Sequence, residues 1–201
     1  MKVLDIDTAV NLACIYWRLV KKVREEGFMI PVLETQRLRL REFKATDKEA
    51  FAALNASPEF SRYFGNGEPI GRLDSWKVMA MIAGHWQLYG FGFWLVEEIE
   101  TKKLVGRIGI WHPDGWPGTE IGWGISPEFW GKGYAKEAAL AAMKWGFENL
   151  AVDELISVIH PENKASKNLA LAVGESYSHN EDVFGKPSEI YKITRVDFMG
   201  N

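Results

Sequence analysis

Residues 127–138 read PEFWGKGYAKEA, and this stretch carries the strongest signal in the sequence. Gly131 and Gly133 flank Lys132 directly before a run typical of a helix. The first N–H groups of a helix have no intrahelical partner and attract anions, and glycine lets a ligand approach the backbone closely. Lys132 adds a positive charge at the same place. The stretch therefore predicts either a phosphate cradle or a tight strand-to-helix turn without a ligand.

The same stretch fits neither of two familiar nucleotide-binding motifs. A P-loop requires Ser or Thr directly after its Lys, whereas Gly133 follows Lys132. The dinucleotide pattern G-x-G-x-x-G fails because Lys136 stands in the place of the third glycine. If the stretch binds a phosphate, the phosphate belongs to another kind of ligand.

Composition limits the classes of function. The chain has 201 residues, of which 47% are hydrophobic, and this is enough for one core. A net charge of -3 does not favour a nucleic-acid or anionic-membrane partner. The single cysteine, Cys14, excludes an internal disulfide and fits a reducing compartment, so we expect a cytoplasmic protein. The four histidines are far apart and show no ligand spacing, so no metal is expected.

The order of strand and helix patterns predicts a single α+β domain. Three strand-like runs joined by short polar connections indicate an antiparallel meander. Helical patterns precede and follow this meander. The predicted elements are a strand at Leu38 and Leu40, a helix from Asp47, a break at Ser57-Pro58, a loop at 64–72, a helix at 74–88, strands at 91–98, 104–111 and 119–126, helices at 133–150 and 165–173, a strand at 155–159, strand candidates near Tyr177 and at 190–195, and a turn at 184–187.

Residues 1–28 read as an N-terminal helical extension ahead of a domain at 29–201. An apolar patch from Val10 to Val20 is followed by charged residues and Gly27. Acidic residues precede the patch and no small-residue cleavage site follows it, so a signal peptide is not expected. Two roles stay open for the extension, packing on the domain or joining a homodimer interface. Met1 and Met29 both remain candidates for the natural start.

Trp130-Gly-Lys-Gly-Tyr-Ala135 resembles motif A of the GNAT acyltransferases, Q/R-x-x-G-x-G/A, whose loop amides bind the pyrophosphate of acetyl-CoA. Gly133 and Ala135 match the motif. Trp130 stands where Gln or Arg is usual, but the cradle is mostly backbone. The resemblance implies that acetyl-CoA is the co-substrate. The implied contacts at this loop are Trp130, Gly131, Lys132, Gly133, Tyr134 and Ala135.

Three other segments extend the resemblance, in the order of the family, over roughly residues 33 to 195. Residues 34–41, ETQRLRLR, with Asp47 resemble the opening of the ribosomal-protein N-terminal acetyltransferases (RimJ/RimL-like). Residues 120–125, EIGWGI, resemble the central strand of the family, and residues 163–166, NKAS, resemble its second cofactor motif. The resemblance implies the GNAT fold, a mixed and mostly antiparallel sheet flanked by helices.

The implied reaction moves an acetyl group from acetyl-CoA to a primary amine by direct attack. An amine with a pKa near ~10 must lose a proton before it attacks. Glu120 is the candidate general base, directly or through water, although a solvated carboxylate at a strand end is an equal reading. The resemblance places the pantetheine and the acetyl carbonyl at the backbone around Ile125.

Two residues near the second cofactor motif have more than one interpretation. Asn163 is expected to bind the pantetheine arm, to cap a helix, or both. Many GNAT enzymes have a tyrosine acid seven residues later, where this chain has Ala170. Ser166 is the candidate that protonates the leaving thiolate, unless it is a solvent-facing helix serine. Glu175 stands where the family usually has Phe, so the chain there is expected to differ.

The identity of the acceptor stays open between a small-molecule amine, which we favour, and a protein N-terminus. Trp111 and Trp116 flank a loop rich in glycine and proline and are expected to contact the acceptor. Two other functions remain. One is a non-catalytic acyl-CoA-binding or sensing module, suggested by Ala170 and Glu175. The other is an interaction protein whose tryptophans form a partner surface.

Overall fold

An eight-stranded sheet forms the middle of the structure, a computed structural model that describes residues 29–200. Its strands are β1 (Leu33–Glu34), β2 (Leu38–Arg41), β3 (Phe93–Glu98), β4 (Leu104–Trp111), β5 (Glu120–Ile125), β6 (Glu154–Ile159), β7 (Ser176–Val183) and β8 (Lys186–Thr194). They lie side by side in the order β1-β2-β3-β4-β5-β6-β8-β7. Neighbouring strands are antiparallel except β5 and β6, which are parallel. The predicted meander and the α+β class are confirmed.

Six α-helices cover the two faces of this sheet in the described part of the chain. They are α1 (Lys48–Asn55), α2 (Pro58–Ser61), α3 (Arg72–Tyr89), α4 (Tyr134–Asn149), α5 (Lys164–Ala172) and α6 (Arg195–Met199). The short helix α2 occupies the place where the sequence predicts a break. Ser57 caps it by accepting the Phe60 N–H, and Pro58 is tolerated because the first turn needs no N–H from that residue.

Helix α4 packs on one face of the sheet through small residues. Ala138, Ala139 and Ala142 are fully buried, which brings the helix close to the strands. A Cβ on Gly146 would approach Ile110 Cδ1 to 3.1 Å. Ala139, Met143 and Gly146 of α4 are buried, whereas Ala135 and Leu150, near the two ends of the helix, are half-buried against the core.

The last two strands are longer than predicted and form a hairpin. The sequence shows strand character near Tyr177 and at 190–195, but β7 runs over Ser176–Val183 and β8 over Lys186–Thr194. Strand β7 is the sheet edge and is mostly exposed, so its polar residues show no apolar alternation. The predicted turn at 184–187 overlaps the turn between the two strands.

Strands β5 and β6 are joined at one end only. Their single bridge pairs Glu120 with Ile156, where the Ile156 N–H donates to the Thr119 carbonyl at 3.0 Å. The next strands on either side, β4 and β8, pair along the full length of their neighbours. The sheet therefore has an open gap between β5 and β6, and this gap positions the site.

Among residues 29–200, no helix is long and apolar enough to cross a membrane. The predicted helical extension at 1–28 lies outside the described residues.

Candidate active site

A cavity of about 1010 Å³ opens from the gap between β5 and β6. It is bounded by the first turns of α4 and α5, the ends of β4 and β5, and the β7–β8 turn. Eleven of the twelve predicted site residues line it: Trp111, Trp116, Glu120, Ile125, Trp130, Gly131, Gly133, Tyr134, Ala135, Asn163 and Ser166. The sequence therefore locates the cavity, although the role of each residue stays a prediction.

The loop before α4 presents backbone rather than side chains. Gly131 and Gly133 have φ angles of 73° and 78°, in the left-handed region that favours glycine. Helix α4 begins at Tyr134, and its N-cap residue, Gly133, has no side chain that could cap the helix. The first amides of α4 are thus left for a ligand, and the helix dipole favours an anion there.

Lys132 is the one predicted residue that does not line the cavity. Its Nζ lies 4.8 Å from the centroid of the Phe129 ring, and its carbonyl accepts a hydrogen bond from Arg37 at 2.9 Å. Lys136, one turn into the cavity-facing start of α4, lines the cavity instead. The sequence reasoning missed Lys136, although its position three residues after Gly133 was a signal for it.

Arg37 fastens the glycine loop to the first strands. Its Nε donates to Glu137 Oε2 at 2.7 Å, and Thr35 Oγ1 donates to Glu137 Oε1 at 2.6 Å. The guanidinium also lies 4.5 Å from the centroid of the Tyr134 ring. Residues at the start of ETQRLRLR thus hold the loop and the first turn of α4 in place.

The free edge of β5 supplies polar backbone to the gap. The Ser126 N–H donates to Val105 O at 2.8 Å, on the β4 side. Because backbone groups alternate along a strand, the Ile125 N–H is directed to the opposite side, toward the gap. Trp130 Nε1 donates to the Ile125 carbonyl at 2.8 Å. Trp130, which replaces the usual Gln or Arg, therefore ties the loop back to β5.

Glu120 lies at the joined end of the gap, beside the bridge to Ile156, with its carboxyl in a largely desolvated position. Burial raises its pKa to about 7. The Val158 N–H, the Trp116 indole and the charge of Arg107 each oppose that rise. The Val158 N–H lies 3.5 Å from Glu120 Oε1. A carboxyl with a pKa near neutrality can take up and release a proton at physiological pH.

A second carboxyl, Glu175, lies nearby with only 3% of its surface exposed. Burial raises its pKa to about 8, the Ser157 hydroxyl opposes the rise, and the charge of Glu120 adds to it. Ser157 Oγ lies 3.0 Å from the Ile121 carbonyl and 3.0 Å from Glu175 Oε1. A hydroxyl has one proton and a carbonyl only accepts, so both bonds form when Glu175 is protonated and donates.

Helix α5 brings the second cofactor motif to the cavity. Asn163 caps the helix, because its Oδ1 accepts the Ser166 N–H at 3.1 Å. Its NH₂ group remains for a ligand. Ser166 Oγ accepts a hydrogen bond from Trp123 Nε1 at 3.2 Å, so the serine keeps its own proton for donation.

Aromatic rings form the opposite wall. Trp111 is 8% exposed and stacks on His85 with 4.2 Å between ring centroids. Burial lowers the pKa of His85. Trp116 contacts the Phe184 ring at 5.8 Å, at the β7–β8 turn. Trp111 is therefore fixed by its packing against His85, whereas Trp116 lies in the loop between β4 and β5.

Loops from three parts of the chain meet over this wall. Lys186, beside the β7–β8 turn, donates to the Gly65 carbonyl. Tyr63 donates to the Glu162 carbonyl at 3.3 Å and stacks near His160 at 5.3 Å. These contacts make a roof over the aromatic side of the cavity.

Within residues 29–200, no group of three or more His, Cys, Asp and Glu side chains is arranged to hold a metal ion.

Comparison with known proteins gives a consistent set of similarities. Residues 37–175 match the acetyltransferase (GNAT) domain family. The uncharacterized N-acetyltransferase YoaA of Bacillus subtilis is 35% identical over 150 residues, 73% of this chain and 83% of that protein. The FsC-acetyl coenzyme A-N(2)-transacetylase of Aspergillus fumigatus is 30% identical over 195 residues, 84% of this chain and 78% of that protein.

Solved structures share the fold. An acetyltransferase from Agrobacterium tumefaciens superposes with a TM-score of 0.73 at 31% identity, covering 83% of this chain and 96% of that one. RimL, a ribosomal L7/L12 acetyltransferase solved with coenzyme A, superposes with a TM-score of 0.69 at 13% identity, covering 82% of this chain and 98% of that one. The likeness to ribosomal-protein acetyltransferases thus extends to the fold.

Proposed function

We propose that this chain, which belongs to the GNAT acetyltransferase family and is an N-acetyltransferase, transfers the acetyl group of acetyl-CoA to the primary amine of a small molecule. The transfer proceeds by direct attack while both substrates are bound. The observation that carries the proposal is the position of Glu120. Its carboxyl has a pKa of about 7 and lines the same cavity as the glycine loop.

The residues of the cavity fit acetyl-CoA. Its thioester supplies an acetyl carbon that is open to attack by an amine. The uncapped amides of α4, with Lys136, suit the pyrophosphate. The Ile125 N–H and the Asn163 NH₂ suit the polar groups of the pantetheine arm. Gly131 and Gly133 have left-handed backbone, in which a residue with a Cβ would be strained, and they lie at the point where a phosphate would approach.

Glu120 removes a proton from the acceptor amine, directly or through water. An amine is protonated at neutral pH, so a base with a pKa of about 7 is ionised often enough to accept that proton. Ser166 lies across the cavity with its hydroxyl oriented by Trp123. Ser166 donates its proton to the leaving thiolate and takes up the second proton that the attacking nitrogen loses as the amide forms. Many GNAT enzymes use a tyrosine for this donation, at the position where this chain has Ala170.

The roof favours a small acceptor over the N-terminus of a folded protein. Lys186 and Tyr63 bridge the loops that an entering polypeptide would have to separate. The similarity to a protein named as an N(2)-transacetylase supports transfer of the acetyl group to nitrogen. A small amine needs less of the opening, so we place it between Glu120 and the ring of Trp111.

Residues 1–28 and the cell compartment enter the proposal from the sequence alone. A single cysteine fits a cytoplasmic enzyme. The extension is proposed to support a homodimer. Deletion of residues 1–28 is expected to convert a dimer into a monomer in solution. An unchanged oligomeric state would contradict the proposed role of these residues in a dimer.

One experiment tests binding and transfer together. Melting temperatures are measured with acetyl-CoA, CoA, NAD and ATP, and free-thiol release is measured with a panel of amines and N-terminal peptides. A ligand at about 100 times its Kd adds roughly 2.7 kcal/mol, a shift of about 5–10 °C for a domain of this size.

We expect shifts with acetyl-CoA and CoA, and faster thiol release with free amines than with peptides. A shift without thiol release for any acceptor would favour a non-catalytic acyl-CoA-binding module instead. Faster release with peptides would replace the small amine with a protein N-terminus.

A further inference from the structure

Arg107 lines the same cavity as Glu120 but takes no part in the steps proposed above. It lies on β4 opposite Gly124, and Glu120 lies on β5 opposite Trp111. The two positions are an even number of residues apart along the paired strands, so both side chains leave the same face of the sheet. The cavity thus holds a cation and a carboxyl on one wall.

The Arg107 side chain is surrounded by rings. Its guanidinium lies 4.8 Å from the centroid of Phe64, 5.4 Å from Phe93 and 5.9 Å from Phe51. Its Nε is buried without a hydrogen-bond partner. Among the described residues, no carboxylate approaches the Arg107 guanidinium within ion-pair distance.

Arg41, on strand β2 of the same sheet, differs sharply. Arg41 forms ion pairs with Asp47 at 2.8 Å and with Glu97 at 3.0 Å. Within residues 29–200, Arg107 has electrostatic support only from Glu120, on the same wall of the cavity. A guanidinium that is desolvated and lacks a paired anion is costly, and proteins rarely retain one without a partner.

The Arg107 guanidinium remains positive at neutral pH. Burial lowers its pKa to about 10, and the charge of Glu120 opposes that change. A guanidinium binds carboxylates through two parallel hydrogen bonds, which gives both strength and orientation. A carboxylate arriving with the acceptor would supply the missing partner.

We propose that the acceptor is an amino acid, with its carboxylate on Arg107 and its amine directed to Glu120. The inference rests on the proposed function, because it names the acceptor for that reaction. Four residues of strand separate the two positions, about 13 Å at ~3.3 Å per residue, and both side chains reach inward from that separation. The acceptor therefore carries a spacer between its acid and its amine.

The wall between the two charges is apolar. Phe93 pairs with Gly109, midway between Arg107 and Trp111, and the rings of Phe93 and Trp111 lie 5.3 Å apart. A Cβ on Gly122 would come within 2.7 Å of the Phe93 ring, so the glycine leaves room for it. The spacer of the acceptor is expected to be a hydrocarbon chain or ring.

Matched acceptors test this assignment. Thiol release is measured for α-, β- and ω-amino acids, for their carboxamides and for the amines without the acid group. The wild-type protein is expected to prefer each favoured acid over its carboxamide by about 10- to 100-fold in kcat/KM, the range for charged hydrogen bonds. In Arg107→Met the preference is expected to fall to within about 3-fold, whereas Arg107→Lys keeps part of it.

Two controls separate recognition from folding. Arg72→Met removes an exposed arginine that pairs with Glu49 outside the cavity, and the preference is expected to stay. The melting shift with CoA is expected to be the same in wild-type, Arg107→Met and Arg107→Lys proteins. If Arg107→Met is not folded by this measure, Arg107→Lys and an Arg107→Gln variant carry the comparison.

Binding gives a second readout, independent of turnover. Calorimetry with the same acids in the presence of CoA is expected to show binding that Arg107→Met weakens at least 10-fold. Equal kcat/KM for acids and carboxamides in the wild-type protein, or an unchanged preference in Arg107→Met, would overturn the inference and leave the acetyltransferase standing. Acid binding that depends on Arg107 without any thiol release would support the subsite and contradict the proposed function.

Discussion

Glu175 Oε1 lies 3.0 Å from Ser157 Oγ, where the chain leaves α5 and passes beneath the gap between β5 and β6. The second oxygen of Glu175 is buried without a hydrogen-bond partner. Both features fit a neutral acid, since an ionised carboxylate would leave a buried charge unsatisfied. The position that usually carries Phe thus holds a carboxyl whose burial raises its pKa to about 8 and favours the uncharged form at neutral pH.

The pH dependence of stability is expected to reveal this proton. The pKa of Glu175 is about 8 in the folded protein and ~4.3 in an unfolded chain. Between these values the folded state holds a proton that the unfolded state has released, so stability falls as pH rises and levels off above about pH 8. One such proton corresponds to ~1.4 kcal/mol per pH unit.

Glu175→Gln keeps a neutral, hydrogen-bonding side chain and has no proton to lose. We expect the melting temperature of Glu175→Gln to rise relative to that of the wild-type protein as the pH increases from 5 to 9. Denaturant unfolding at each pH checks this, with Glu189→Gln as a control on an adjacent strand. Parallel curves for Glu175→Gln and wild-type protein would show that Glu175 is ionised throughout.

Glu120 is expected to control the acid side of the pH–rate profile. Because its pKa is about 7 and the base form is active, kcat/KM should fall about tenfold per pH unit below that value. Glu120→Gln is expected to lose about 10²-fold or more in kcat/KM and to lose this acid limb. The rate of thiol release from pH 5.5 to 9 measures both. A retained limb in Glu120→Gln would assign the base to another group.

A substitution in the glycine loop is expected to weaken CoA binding by more than the loss of stability alone explains. Gly133→Ala places a side chain at a φ of 78°, with a strain of roughly 1–2 kcal/mol. We expect the Kd for CoA to rise about tenfold or more, measured by calorimetry. Gly90→Ala imposes the same strain at the end of α3, where φ is 77°, and should leave the CoA affinity unchanged. Equal losses in both variants would reduce the loop to a turn.

Two substitutions separate the two roles of Asn163. Asn163→Asp keeps the oxygen that accepts the Ser166 N–H, whereas Asn163→Ala removes it and should cost about 1 kcal/mol. If the NH₂ group binds the pantetheine arm, both variants weaken CoA binding, and only Asn163→Ala lowers the melting temperature. A CoA affinity that Asn163→Asp preserves would leave Asn163 with the capping role alone.

The glycine loop and Asn163 could be identified from the sequence because both give local signals, and both line the cavity. Their role in binding the cofactor stays a prediction. Glycines at a helix start and an asparagine cap act within a few residues of where they stand, so PEFWGKGYAKEA and Asn163 could be interpreted directly. The strand and helix order followed from periodicity in the same way. The short helix α2 was not predicted and the edge strand β7 was predicted too short, since neither has a strong apolar period.

The acceptor side could not be predicted in the same way. Arg107 stands in a strand where one of two alternating faces is normally solvated. Packing against Phe51 of α1 and Phe64 of the loop after α2, both distant in sequence, helps to bury it. Glu175 was visible as a departure from the family. Its raised pKa, however, comes mainly from burial, which depends on the packing of segments that are distant in sequence.

The single bridge between β5 and β6 has a mechanical consequence. The sheet consists of two parts, β1–β5 and β6–β8, whose backbones pair only at Glu120 and Ile156. The cavity opens along the same line, so a bound ligand contacts both parts and holds them together. A substitution that extended the pairing of β5 with β6 would stabilise the sheet and close the cavity to its substrate.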